Sequence, residues 1–188
     1  MPETAPPPDL SLLSLDQIAR LAEERRLPPV EQWNPAHCGH SDMRIARDGT
    51  WFHQGSPIGR PAMVRLFASI LRREPDGRFV LVTPVEKLDI DVEDAPFVGV
   101  ELMSEGEGEQ RRLAIRLNTG DAIPIDADHP LRCEEHADGP HPYVRVRGGL
   151  DALIARPVYY ELVNLALEED NSPVGLWSAG GFFPLEPR

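Results

Sequence analysis

Two polar turns carry the side chains best suited to chemistry. Thr83-Pro84-Val85-Glu86-Lys87 follows one apolar run, and Val92-Glu93-Asp94-Ala95-Pro96-Phe97 follows the next. Turns at strand ends gather polar groups on a rigid frame, where binding residues concentrate. Thr83 offers a hydroxyl, Glu86 and Asp94 carboxylates, and Lys87 an ammonium. Such groups can hold a ligand or move a proton; they can equally satisfy the backbone of their own turns, which Pro84 and Pro96 shape. Arg60 and Arg156 each stand just before a proline-led helical pattern. A helix start presents free N–H groups and the positive end of the dipole, so an anion is favoured there. A protein carboxylate would pair with either arginine just as well. Trp177-Ser178-Ala179-Gly180-Gly181 sets an indole beside a flexible pair; an exposed Trp stacks on planar rings, whereas a core Trp only packs. Leu117-Asn118-Thr119-Gly120-Asp121 reads as a hairpin turn.

Cys38, His40, Cys133 and His136 have the donor atoms of a zinc site. Their spacing is poor, and Cys133 and His136 fall on a strand, where i and i+3 face opposite sides. No structural metal is expected. Two cysteines do not make a disulfide framework. No GxGxxG, GxxxxGK[ST], HExxH or GxSxG is present, so no catalytic residue and no cofactor is assigned.

The chain has 188 residues, 41% of them hydrophobic, and a formal net charge of −12. That balance argues against nucleic acid as a partner, because phosphate neutralisation needs a basic face. It leaves room for a small anion, since a local pocket can be basic on an acidic protein. Arginine greatly outnumbers lysine, and its fork suits bidentate recognition of phosphate or carboxylate. No apolar run approaches a membrane span, and residues 1–9 lack the features of a secretory signal. The cytoplasm is the expected compartment.

Elements must position these residues. Ser14-x-x-Gln17 is a capping box opening a helix through about Arg26, with Leu15, Ile18, Ala19 and Leu21 on one face and Pro28-Pro29 ending it. A connection is expected over 33–39. Ile58-Gly59-Arg60-Pro61 returns 96 positions later as Ile154-Ala155-Arg156-Pro157. Met63, Leu66, Phe67, Ile70 and Leu71 then match Tyr159, Leu162, Val163, Ala166 and Leu167, both at the spacing of a helix with one buried face. Pro61 and Pro157 each suit the first helical position. Asp-Gly turns and extended segments precede both patterns, and polar turns and apolar runs follow them. These features predict two equivalent units. Between them, alternation and turn chemistry predict strands over 88–92, 97–103, 112–117, 122–125 and 131–135. The expected fold is α+β, a duplicated unit of mostly antiparallel strands plus one helix. Its expected parts are a leader with a helix (1–34), a first repeat domain (35–95) and a second (96–188).

Several strings together carry a resemblance: Asp42-Met43-Arg44-Ile45, Asp48-Gly49-Thr50-Trp51, Gly55-Ser56-Pro57-Ile58-x-Arg60, Leu66-Phe67, the Thr83–Lys87 and Val92–Phe97 turns, and Trp177-Ser178-x-Gly180. From about Pro35 onward the chain resembles a bacterial family of uncharacterised proteins, number 1285 in the domains-of-unknown-function series. The resemblance implies a duplicated α+β core whose C-terminal half is superficially pleckstrin-homology-like. It also implies a site for a nucleotide-like ligand at the domain interface and a part in signal transduction.

The combined expectation is a regulatory protein that binds a small anionic, ring-bearing molecule between its repeats and engages neither nucleic acid nor membrane. Arg60, Thr83, Glu86, Lys87, Asp94, Phe97 and Trp177 are the expected ligand-binding residues, with arginine on the charge and Phe97 or Trp177 on the ring. An enzyme using Glu86, Lys87 or Asp94 is the first alternative. A protein–protein adaptor working through strand edges is the second.

Overall fold

A computed structural model describes residues 27–187. The expected leader helix therefore lies outside the described residues. Two six-stranded sheets dominate. The first contains β1 (His37–Ile45), β2 (Trp51–His53), β3 (Ser56–Pro57), β4 (Leu71–Arg73), β5 (Phe79–Val82) and β6 (Glu86–Val92), with α1 (Pro61–Ser69) between β3 and β4. The second contains β7 (Phe97–Glu105), β8 (Arg112–Leu117), β9 (Ala122–Ile125), β10 (Leu131–His136), β11 (Gly139–Arg147) and β12 (Leu150–Ile154). After β12 come α2 (Arg156–Glu168) and the hairpin of β13 (Gly175–Ser178) and β14 (Gly181–Pro184).

The two sheets share one topology. Their orders are β3-β2-β1-β6-β5-β4 and β10-β11-β12-β7-β8-β9. Read from the opposite edge, the second is the first strand for strand. In each, the first and sixth strands pair in parallel at the centre, β1 with β6 and β7 with β12. Every other pair is antiparallel. The protein is therefore two similar α+β domains, each a mostly antiparallel sheet with one helix.

The helices do not occupy equivalent places. α1 follows the third strand of its domain, whereas α2 follows the sixth. The duplication runs through the strands, from His37 and Phe97 onward, and the 96-residue match of the helix starts is not its period. Proline at the first turn marks where a helix begins. It carries no information about the helix's place in a sheet.

The helices also differ in burial. α2 buries Val158, Leu162 and Ala166 and packs on β7 and β13. α1 buries Ala68 alone, and the expected core residues Met63 and Leu66 are 39% and 61% exposed. Its apolar stripe exists, with Val64, Phe67 and Ile70 packed against the core, but Met63, Phe67 and Ile70 also border a cavity. A single hydrophobic cluster runs through both domains, from Ile45, Trp51 and Leu71 to Phe97, Ile115 and Leu162. The domains thus share a core. Among the described residues no helix is long and apolar enough to cross a membrane.

The segment expected as a connection over 33–39 is partly strand. β1 begins at His37 and pairs with β6 from Glu86, with its register shifting between His40 and Arg44. Asp42 takes a φ of 55° at that irregularity, and its carbonyl accepts the Gln54 N–H at 2.8 Å. Backbone pairing with β6 makes this stretch a strand although its side chains are exposed, so no alternation announces it.

Candidate functional site

The domains meet around a cleft of about 360 Å³. Leu27 and Pro28 of the entering chain and Arg65, Ala68 and Ser69 of α1 form one wall, and Phe97, Asp121 and Arg147 form the other. Arg147 ends β11, where the strand delivers its side chain toward α1. One Nη donates to the Ala68 carbonyl at 2.6 Å, and the guanidinium lies 5.5 Å from the Phe97 ring centroid. Burial pulls the Arg147 pKa down, and the Asp121 and Glu31 charges only partly oppose this. Among the described residues no carboxylate hydrogen-bonds Arg147. Arg44, Arg72, Arg111, Arg116, Arg132 and Arg145 all reach one. In so acidic a chain a half-buried guanidinium that no described carboxylate hydrogen-bonds has donors left for an outside anion, with the Asp121 and Glu31 charges nearby opposing it.

A second set of contacts fixes the cleft. The Asp48-Gly49 turn of the first domain presses on the second. A Cβ added at Gly49 would lie 2.6 Å from Asn118 Nδ2 and 2.9 Å from a Val98 methyl, and Gly49 has a φ of 86°. Asn118 Oδ1 accepts the Val98 N–H at 3.1 Å. The turn read as a simple hairpin is thus a clasp between domains, and its Asp121 lines the cleft. Gly49→Ala combines a left-handed backbone with overpacking. It should destabilise the fold by about 2–3 kcal/mol, measurable as a lower urea midpoint. A cost below that of an exposed surface change would mean the two domains do not press together there.

A larger cavity, about 410 Å³, lies inside the first domain beneath α1. Phe67 and Ile70 line it from above, Met43, Leu81 and Leu88 from the sheet, and Thr83 and Glu86 at one end. α1 therefore supplies a wall to each cavity.

A polar cluster holds the linker. Tyr143 donates its hydroxyl to Asp94 Oδ1 at 2.8 Å, and Arg47 lies 3.3 Å from Asp94 Oδ2. His136 and His141 stack with centroids 4.1 Å apart, and His141 Nε2 meets Asp138 at 3.0 Å. Burial, and then the bond to Asp94, push the Tyr143 phenol far above its usual range. That hydroxyl stays protonated and serves as a donor to Asp94. Elsewhere, burial raises the Cys133 thiol to about 11, which makes it inert. Cys38 is exposed on β1 of the other sheet. Among the described residues no three of His, Cys, Asp and Glu form a metal-holding group.

The expected site residues are thus dispersed. Thr83 and Glu86 share the first-domain cavity. Lys87 pairs with Glu74 at 3.3 Å. Asp94 sits in the tyrosine–histidine cluster. Phe97 lines the interdomain cleft, but it is 2% exposed and its ring faces the Arg147 guanidinium. It positions that arginine and leaves little face for a ligand ring. Arg60 caps α1 through its carbonyl and lines neither cavity, so the expected partnership of Arg60 with the Thr83–Lys87 turn in one interdomain cleft is not formed. Trp177 is half-buried, edge-on to Phe182 at 5.4 Å, and lines neither cavity. Arg65 and Arg147 escape sequence reading. Arg147 stands in an ordinary strand pattern, and only the fold brings it to α1.

Family models match nearly the whole chain. The N-terminal domain of a domain of unknown function, DUF1285, matches residues 28–95. The C-terminal domain of the same group matches residues 96–185. Among solved structures, a DUF1285 family protein from Silicibacter pomeroyi DSS-3 is similar, with a TM-score of 0.79 and 48% identity over 90% of this chain and 94% of that one. Another from Shewanella baltica OS155 has a TM-score of 0.53 and 28% identity over 69% of this chain and 96% of that one. No curated protein matches.

Proposed function

This chain belongs to the DUF1285 family, and on that premise we propose a small-molecule-binding protein with a regulatory, signalling role in the cytoplasm. Its ligand is anionic and nucleotide-like and sits between the two repeated domains. Arg147 carries this reading: its guanidinium is half-buried in the interdomain cleft, anchored to a backbone carbonyl and to Phe97, and hydrogen-bonded to no carboxylate among the described residues. Its remaining donors suit a phosphate, and the plane of a guanidinium also suits a base. Arg65 on the facing wall adds a second positive charge. The enzyme alternative would need Glu86, Lys87 and Asp94 together, and they lie in three separate settings.

A thermal-shift screen of nucleoside mono- and diphosphates against the full-length protein, with inorganic phosphate as control, tests the proposal. A ligand that binds only the folded state adds about 2.7 kcal/mol at a hundredfold excess over Kd. At least one nucleotide should raise Tm more than phosphate does. No shift with any of them would remove the nucleotide reading.

A further inference from the structure

The cavity beneath α1 selects for charge by what its polar groups already do. The Ser41 hydroxyl donates to the Asp89 carbonyl at 2.8 Å and accepts the Met43 N–H at 3.2 Å. The Thr83 hydroxyl accepts the N–H groups of Val85 and Glu86 at 3.3 and 3.2 Å. Both are committed to backbone. The Glu86 carboxylate is different. It lines the cavity, is half-buried, and has no hydrogen bond or ion pair among the described residues. No lysine or arginine lines this cavity. His53 supplies a further polar edge, and the rest of the wall is apolar.

A volume of about 410 Å³ falls within the range of small-molecule sites. We infer that this cavity is a second binding site, separate from the cleft, for an apolar molecule carrying an ammonium group. The apolar body lies among Met43, Phe67, Ile70, Leu81 and Leu88, and the ammonium pairs with Glu86. Anions are disfavoured because Glu86 repels them and no lysine or arginine lines the walls. The net charge of −12 also raises the local concentration of cations. An ionised carboxylate accepts a charge-assisted hydrogen bond about twice as strong as a neutral one.

Three probes of similar apolar body and different head distinguish the outcomes: phenethylamine, phenethyl alcohol and hydrocinnamate. They are titrated into full-length, isotope-labelled protein and followed by amide chemical shifts. The amine should bind about tenfold more tightly than the alcohol, and the carboxylate more weakly than either. The shifts should centre on Phe67, Ile70 and Leu88. In Glu86→Gln the amine should lose its advantage over the alcohol, while nucleotide binding at the cleft stays as in the wild type. Equal binding of all three probes, no binding of the amine, shifts centred elsewhere, or an unchanged preference in Glu86→Gln would each overturn the inference. Should Glu86→Gln fail to fold, the ranking of the three probes on the wild-type protein still decides.

Discussion

Arg72→Ala is expected to lower the unfolding free energy by about 3–5 kcal/mol. Arg72 lies on β4 with its side chain only 9% exposed, beside Glu74 at 13%. Its Nε donates to Glu74 at 2.7 Å. One Nη donates to the carbonyls of Val30 and Trp33 at 2.7 and 2.8 Å. Truncation would leave a buried carboxylate with Lys87 alone and free two carbonyls that hold the entering chain. Leu27 and Pro28, a few residues before, line the cleft, so nucleotide binding should weaken as well. Burial alone would raise the Glu74 pKa. Hydrogen bonds and charge from Arg72 and Lys87 more than reverse this, and it ends below the usual glutamate value. A depressed pKa stabilises fully above the unfolded value, and that contribution is lost as pH falls through the folded one. The gap between wild type and Arg72→Ala should therefore be widest near neutrality and narrow in acid. Urea unfolding at several pH values measures it. A gap that does not change with pH would mean that Arg72 acts through the two carbonyls and not through Glu74.

The second domain holds a comparable pair, and Arg111→Ala should cost about 3–4 kcal/mol. Arg111 Nε donates to Glu169 Oε1 at 2.8 Å, with the two side chains 9% and 11% exposed. An Nη donates to Ser104 Oγ at 2.6 Å. Glu169 is the C-cap of α2, where the helix dipole already opposes negative charge. Removing the arginine would leave that carboxylate with the Asn171 amide at 3.1 Å. Because the cost is mainly an uncompensated charge, adding Glu169→Gln to Arg111→Ala should recover part of the loss. If the double variant is no more stable than the single one, packing rather than charge accounts for the cost.

Local pattern is legible where local physics decides. β8 and β9 fall over 112–117 and 122–125, as alternation and turns predict. Both helices begin at their prolines, at Pro61 and beside Pro157. The duplication is legible as a fact but not in its register, because helix starts obey a local rule while strand order is set by long-range pairing. Likewise His37–His40 becomes strand only through β6. For the site, Thr83, Glu86 and Phe97 line cavities, in two different places. Arg147 does not stand out, because what distinguishes it is its half-buried place beside Ala68 and Phe97. That place depends on α1, distant in sequence, being brought alongside β11.

Calorimetric titration of AMP, GMP and inorganic phosphate into the full-length protein, beside Arg147→Lys and Arg147→Met, tests directly whether Arg147 receives an anion in the interdomain cleft. At least one nucleotide should bind the wild type. Affinity should fall in Arg147→Lys, where the charge stays and the fork is lost, and by about tenfold to a hundredfold in Arg147→Met. Equal affinity in Arg147→Met, or no binding to the wild type, would contradict the assignment.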